Sequence, residues 1–122
     1  MLTLLTATGA RLHAWALCER WMAAQDYAGP VRWLVVDDGQ EPQPITFQRE
    51  KWTLNVIRPR RLWTPGRNSQ AENLLHGLSH CSASDRVVVI EDDDYYSPDW
   101  LSHVTQQLDH AQLVGESMAR YY

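Results

Sequence analysis

The sequence predicts an α/β fold in which helices cover a mostly parallel sheet. Short runs of β-forming residues alternate along the chain with segments whose apolar residues recur at helical spacing. One run, Val87 to Ile90, has no polar alternation, which is typical of a strand buried on both faces of a parallel sheet. Four consecutive acids, Glu91 to Asp94, follow it directly, at the position where open α/β sheets hold their ligands.

Four strands and a short fifth one are predicted along the chain. The first ends at the small-residue turn Thr8-Gly9, and the second ends in Asp37-Asp38-Gly39. The third is closed by Arg58-Pro59. The predicted strands are residues 2–7, 31–36, 54–57 and 87–90, with a short fifth strand at 113–115.

Three helices are predicted between the strands. The first is broken by Gly29-Pro30, and the second has Asn68 or Ser69 as its N-cap. In the third, Pro98 takes the first helical position and Asp99 lies in the first turn. The predicted helices are residues 11–25, residues 69–79 and a segment from residue 97 onward. This alternation is typical of βαβ units and predicts a Rossmann-like three-layer sandwich.

Composition limits the classes of function. With 122 residues, 44% of them apolar, the chain can form one domain with its own core. Its net charge of −4 argues against a general affinity for nucleic acid or an anionic membrane. No stretch approaches the ~18 apolar residues of a membrane helix. The apolar opening is too short for a signal-peptide core, so a cytoplasmic location is the default expectation.

Cysteine and tryptophan give weaker signals. Cys18 and Cys81 lie far apart without ligand spacing and are expected as buried or free thiols. Most of the six tryptophans are expected in the core or at an interface, although one could stack on a ring.

Acidic or polar clusters fall at the ends of three predicted strands: Thr6-Ala7-Thr8, Asp37-Asp38-Gly39 and Glu91 to Asp94. Because the carboxyl ends of parallel strands share one edge, we expect the clusters to converge in space. Four adjacent carboxylates repel one another, and a divalent cation with a preference for oxygen ligands, Mg²⁺ or Mn²⁺, removes that conflict. Asp-Asp-Gly also fits a simple turn, and an acidic run also fits a solvated face.

A basic patch lies between the third strand and the second helix. It could reach an anionic ligand over the same sheet edge, although each arginine alone also fits a solvated loop. Its members are Arg58, Arg60, Arg61 and Arg67.

The order of these motifs carries a family resemblance. Leu4 to Thr8 and a helix come first, and Leu34 to Gly39 comes next. Gly66-Arg67-Asn68 then opens a helix, followed by Val88 to Asp94 and by Ser97-Pro98-Asp99. In this order the chain resembles the nucleotide-binding half of a family 2 glycosyltransferase of the GT-A type. The resemblance implies a nucleotide-diphosphate sugar as ligand, with UDP as the expected nucleotide, an unknown acceptor, and Mn²⁺ or Mg²⁺ as cofactor.

The resemblance also implies roles for individual residues. Asp93 is the expected metal ligand, with Glu91 and Asp94 in support, and Asp92 is expected to contact the ribose. Asp38 would accept a hydrogen bond from the base. The residues expected to bind the nucleotide are Thr6, Thr8, Asp37, Asp38, Arg67 and Asp92.

The expected organisation is a single nucleotide-diphospho-sugar-binding domain over residues 1–122, with the family's acceptor half apparently absent. No catalytic base is identified, so a partner or self-association could complete the site. Alternatives are a catalytically incomplete donor-binding or scaffold module and a sugar-phosphate nucleotidyltransferase. The latter usually needs a glycine-rich basic loop, of which Thr8-Gly9-Ala10-Arg11 is a poor version. A phosphoacceptor receiver domain carries its acids after different strands.

Overall fold

A computed structural model describes residues 1–116 of the chain. They form a four-stranded sheet in the order β3-β2-β1-β4, in which every pair of neighbouring strands is parallel, together with three helices. The elements are β1 (Leu2–Thr8), α1 (Leu12–Ala23), β2 (Val31–Asp37), β3 (Trp52–Ile57), α2 (Gln70–Leu78), β4 (Arg86–Val89) and α3 (Trp100–Leu108). The predicted α/β class is confirmed.

Helices cover both faces of the sheet, so the predicted three layers are present. On one face α1 and α3 bury a core that includes Trp15, Trp33 and Leu101. On the other face α2 packs Leu74 against a smaller cluster that includes Leu5. The free thiols expected from the sequence are confirmed for both cysteines.

Gly77 faces the sheet and lets helix α2 pack directly against it. A Cβ atom at Gly77 would collide with Leu5 Cδ1 and would lie 3.1 Å from Val36 Cγ2. A glycine inside a helix costs about 1 kcal/mol relative to alanine, so this close approach is a physical reason for its presence.

Three local predictions were wrong. Strand β4 is not buried on both faces: it is an edge within residues 1–116, and Val89 is 45% exposed. Residues 113–115 form no strand, and Leu113 is 90% exposed. Helix α3 begins at Trp100, and Pro98 lies in the turn before it.

None of the helices described between residues 1 and 116 combines the length and apolar character that a membrane span requires.

Candidate functional site

A cleft of about 610 Å³ opens at the carboxyl ends of β1, β2 and β4. Its walls are the turn after β1, the tip of β2, the loop before α2, the first turn of α2 and the acidic run after β4. The strand order places β4 on the opposite side of β1 from β2 and β3, so the cleft lies where the order of the strands reverses. Ligands of open α/β sheets bind at such switch points, and this volume is typical of small-molecule sites.

Thr8 and Asp92 join the tips of β1 and β4. The Thr8 hydroxyl donates to Asp92 Oδ2 at 2.7 Å and accepts from Gln43 Nε2 at 3.1 Å. Asp92 is only 4% exposed. Burial raises the pKa of its carboxyl, while the Thr8 hydrogen bond and the Arg11 charge offset part of that rise. The orientation of Asp92 is therefore fixed from both sides.

Arg11 supplies a positive charge at the acidic end of the cleft. Its Nη1 lies 3.2 Å from Asp92 Oδ1 and 3.3 Å from Asp93 Oδ2. Because its side chain is 53% exposed, a negatively charged ligand in the cleft can reach the guanidinium.

Glu91, Asp93 and Asp94 form an acidic cluster at the same end. All three are exposed, and one carboxylate oxygen from each lies within 4.8 Å of the others. The hydrogen bond shared with Asp94 raises the pKa of Glu91, and burial raises it further. Gln70 Nε2 donates to Glu91 Oε1 at 3.0 Å. The all-oxygen donor set and its mutual repulsion fit a hard divalent cation such as Mg²⁺ or Mn²⁺.

Asp38 lies at the other end of the cleft, and its two carboxylate oxygens differ in their hydrogen bonds. Oδ2 accepts hydrogen bonds from Ser69 Oγ and, at 2.7 Å, from Asn73 Nδ2. Oδ1 has no hydrogen-bond donor within residues 1–116 and lies against Gly9, where a Cβ atom would collide with it. Ser69 precedes α2 as predicted, but its hydroxyl binds Asp38 instead of capping the helix.

Trp63 forms the wall of the cleft beside Asp38. Its backbone N–H donates to Asp38 O at 2.7 Å, and its indole N–H donates to Arg67 O at 2.8 Å. A turn over Thr64-Pro65-Gly66-Arg67 brings that carbonyl into place: Arg67 N donates to Thr64 O at 3.1 Å, and Gly66 has φ +83°. Proline followed by a glycine of positive φ is typical of a type II turn.

A family model for glycosyl transferase family 2 matches residues 16–122. The chain belongs to glycosyl transferase family 2. The resemblance stated from the sequence is confirmed, and with it a glycosyltransferase-type function. Neither the curated proteins nor the solved structures include a match to the chain. The matched range contains Asp38 and the acidic cluster but begins after β1, so Thr8 and Arg11 lie outside it.

Two residues expected to bind the nucleotide lie behind the cleft wall of this family 2 chain. Asp37 is fully buried, and its carboxylate accepts from Gly39 N at 3.0 Å and from Gln43 N at 2.7 Å. Thr6 is also fully buried, and its hydroxyl accepts from Trp33 Nε1 at 3.0 Å. The contacts of Asp37 hold the segment that presents Gln43 to Thr8.

Two arginines of the basic patch, Arg58 and Arg67, are held by contacts within the protein. Arg67 lines the cleft, but its guanidinium donates to Leu62 O at 3.1 Å and pairs with Glu72. Arg58 donates to Asp37 O at 3.1 Å and to the carbonyl of the following turn. Within residues 1–116 the cation beside the acidic cluster is therefore Arg11, which is not among the residues predicted for the site. The sequence signal that could have indicated Arg11 was its position shortly after the first predicted strand.

Proposed function

We propose that this family 2 chain binds the nucleoside diphosphate of a nucleotide-sugar donor in the cleft, through a divalent metal ion. The observation that carries the proposal is a single cleft with acidic side chains at both of its ends. Asp38 follows β2, the acidic cluster follows β4, and β1 separates them. Two strand spacings amount to about 10 Å, which is comparable with the distance from a nucleobase to its diphosphate.

At the base end, Asp38 is suited to accept a hydrogen bond. Ser69 and Asn73 hold one of its oxygens, so the carboxylate keeps its orientation when the other oxygen binds a ligand. A donor N–H on the edge of a nucleobase matches that free acceptor, and uracil is the base that we propose. Asp92, fixed by Thr8, would face the ribose.

At the phosphate end, Asp93 with Glu91 and Asp94 would hold Mn²⁺ or Mg²⁺. The bound metal would supply positive charge that stabilises the diphosphate as it leaves. Arg11 adds a guanidinium that is able to donate to a phosphate oxygen. Gln70 holds Glu91 in place from the first turn of α2.

Calorimetric titration with UDP, GDP and dTDP, with and without Mn²⁺, tests this function. We expect Mn²⁺ to strengthen binding of one nucleotide by about tenfold or more, since charge-assisted contacts are worth about 1.5–3 kcal/mol each. Asp93→Asn should remove that gain. Glu50→Gln, which removes an exposed carboxylate outside the cleft, should keep it. Absence of metal-dependent binding for all three nucleotides would contradict the proposal.

A further inference from the structure

Trp63 gives the cleft an aromatic surface that the proposed donor contacts leave unused. It is 37% exposed, whereas Trp15 and Trp33 are buried in the core. Within residues 1–116 no other aromatic side chain lines the cleft, whose remaining walls are polar, charged or aliphatic. A lone exposed indole in a polar cleft requires an explanation other than packing.

The ring is held in a fixed position. The backbone of Trp63 donates to Asp38 O at 2.7 Å and accepts from Gln40 Nε2 at 2.8 Å. The indole N–H donates to Arg67 O at 2.8 Å, across the turn that Gly66 closes. A ring fixed in this way loses little conformational freedom when a ligand stacks on it.

Its position next to Asp38 indicates which part of a ligand it meets. The backbone hydrogen bond makes the two residues neighbours, and both line the cleft. A planar group that donates to the free oxygen of Asp38 therefore lies within reach of the indole. Every nucleobase offers a π face, and stacking on an aromatic side chain tolerates any base. A diphosphate has no such face.

We infer that Trp63 stacks on the nucleobase of the donor while Asp38 binds the edge of the same base. The inference rests on the proposed function and adds to it a contact that is independent of the metal. Stacking on an aromatic side chain contributes about 5- to 150-fold to affinity per base, from alanine replacements.

The test compares nucleotides with inorganic pyrophosphate, which has no base. Titrations with UDP, GDP and dTDP and with pyrophosphate, all in Mn²⁺, are run on the wild type, Trp63→Ala and Trp63→Phe. For the tightest nucleotide, Trp63→Ala should weaken binding by about 5- to 150-fold, while the affinity for pyrophosphate stays unchanged. Trp63→Phe keeps a flat ring without the indole N–H, so it should retain most of the affinity.

A fluorescence measurement adds a direct signature. With Mg²⁺ present, the nucleotide should quench part of the wild-type indole emission. Trp63→Phe should still bind but lose that quenching. This comparison remains decisive if Trp63→Ala fails to fold.

Two results would overturn the inference alone: an equal loss for the nucleotide and for pyrophosphate in Trp63→Ala, or nucleotide binding without any change in indole emission. If the wild type binds neither a nucleotide nor pyrophosphate with Mn²⁺, the proposed function fails as well. The two failures are therefore distinguishable.

Discussion

Replacement of Arg11 by methionine should change two affinities in opposite directions. In the free protein its guanidinium pairs with Asp92 at 3.2 Å and with Asp93 at 3.3 Å, so it would compete with a metal ion for Asp93. In the proposed complex the same guanidinium contacts a phosphate. Methionine keeps most of the aliphatic stem and removes the charge, so the two roles separate.

The expected change in each affinity follows from the kind of contact that Arg11 makes. Arg11 and Asp93 are 53% and 59% exposed, and solvent-exposed pairs are worth about 0.2–1 kcal/mol, so Mn²⁺ alone should bind about 1.5- to 5-fold more tightly. Loss of one charge-assisted phosphate contact is worth about 1.5–3 kcal/mol, so UDP in saturating Mn²⁺ should bind about 10- to 150-fold more weakly.

Calorimetry with Mn²⁺ alone, and then with UDP at saturating Mn²⁺, measures the affinity for the metal and the affinity for the nucleotide. Arg60→Met is the matched control, because Arg60 is exposed and lies outside the cleft lining. It should leave both affinities unchanged. A loss of both affinities in Arg11→Met would refute the reasoning, and so would an unchanged affinity for UDP.

Three further predictions concern the scaffold. Gly77→Ala should lower the free energy of unfolding by about 1–2 kcal/mol, because overpacking against buried Leu5 outweighs the gain in helix propensity. Thermal melting measures the change, and an unchanged or higher melting temperature would contradict it. Glu19→Gln should lower the free energy of unfolding, measured in urea, by about 1–2 kcal/mol. The buried Glu19 carboxylate accepts hydrogen bonds from one indole, two backbone N–H groups and a hydroxyl, and a neutral amide accepts them more weakly. Burial raises the pKa of Cys18 to about 12, so at pH 8 a thiol reagent should modify half-buried Cys81 first. Rapid modification of Cys18 in the folded protein would argue against its burial.

Convergence of distant polar residues was predictable because it depends on the sheet alone. Thr8 and Asp92 are 84 positions apart, yet both lie at the carboxyl ends of parallel strands that pair with each other. Any sequence with this alternation of strands and helices brings such strand ends to one edge. Asp38 could be placed near them on the same grounds.

Other features depend on geometry that no local pattern encodes. Val89 is exposed because β4 is an edge strand within residues 1–116, and the position of a strand in the sheet cannot be read from its own residues. Serine is a typical N-cap residue, but the Ser69 hydroxyl donates its hydrogen bond to the Asp38 carboxylate instead of capping the helix. Trp63 reaches the cleft through the turn closed by Gly66, which the sequence indicates only as a loop.

A crystal structure of the chain with Mn²⁺ and UDP would test the central claim most directly. Anomalous scattering from manganese would locate the ion independently of the nucleotide. We predict one Mn²⁺ on Asp93 together with Glu91 or Asp94, both phosphates on that ion, and the base between Asp38 and Trp63. An ion or a nucleotide bound outside the cleft between β1, β2 and β4 would contradict the account.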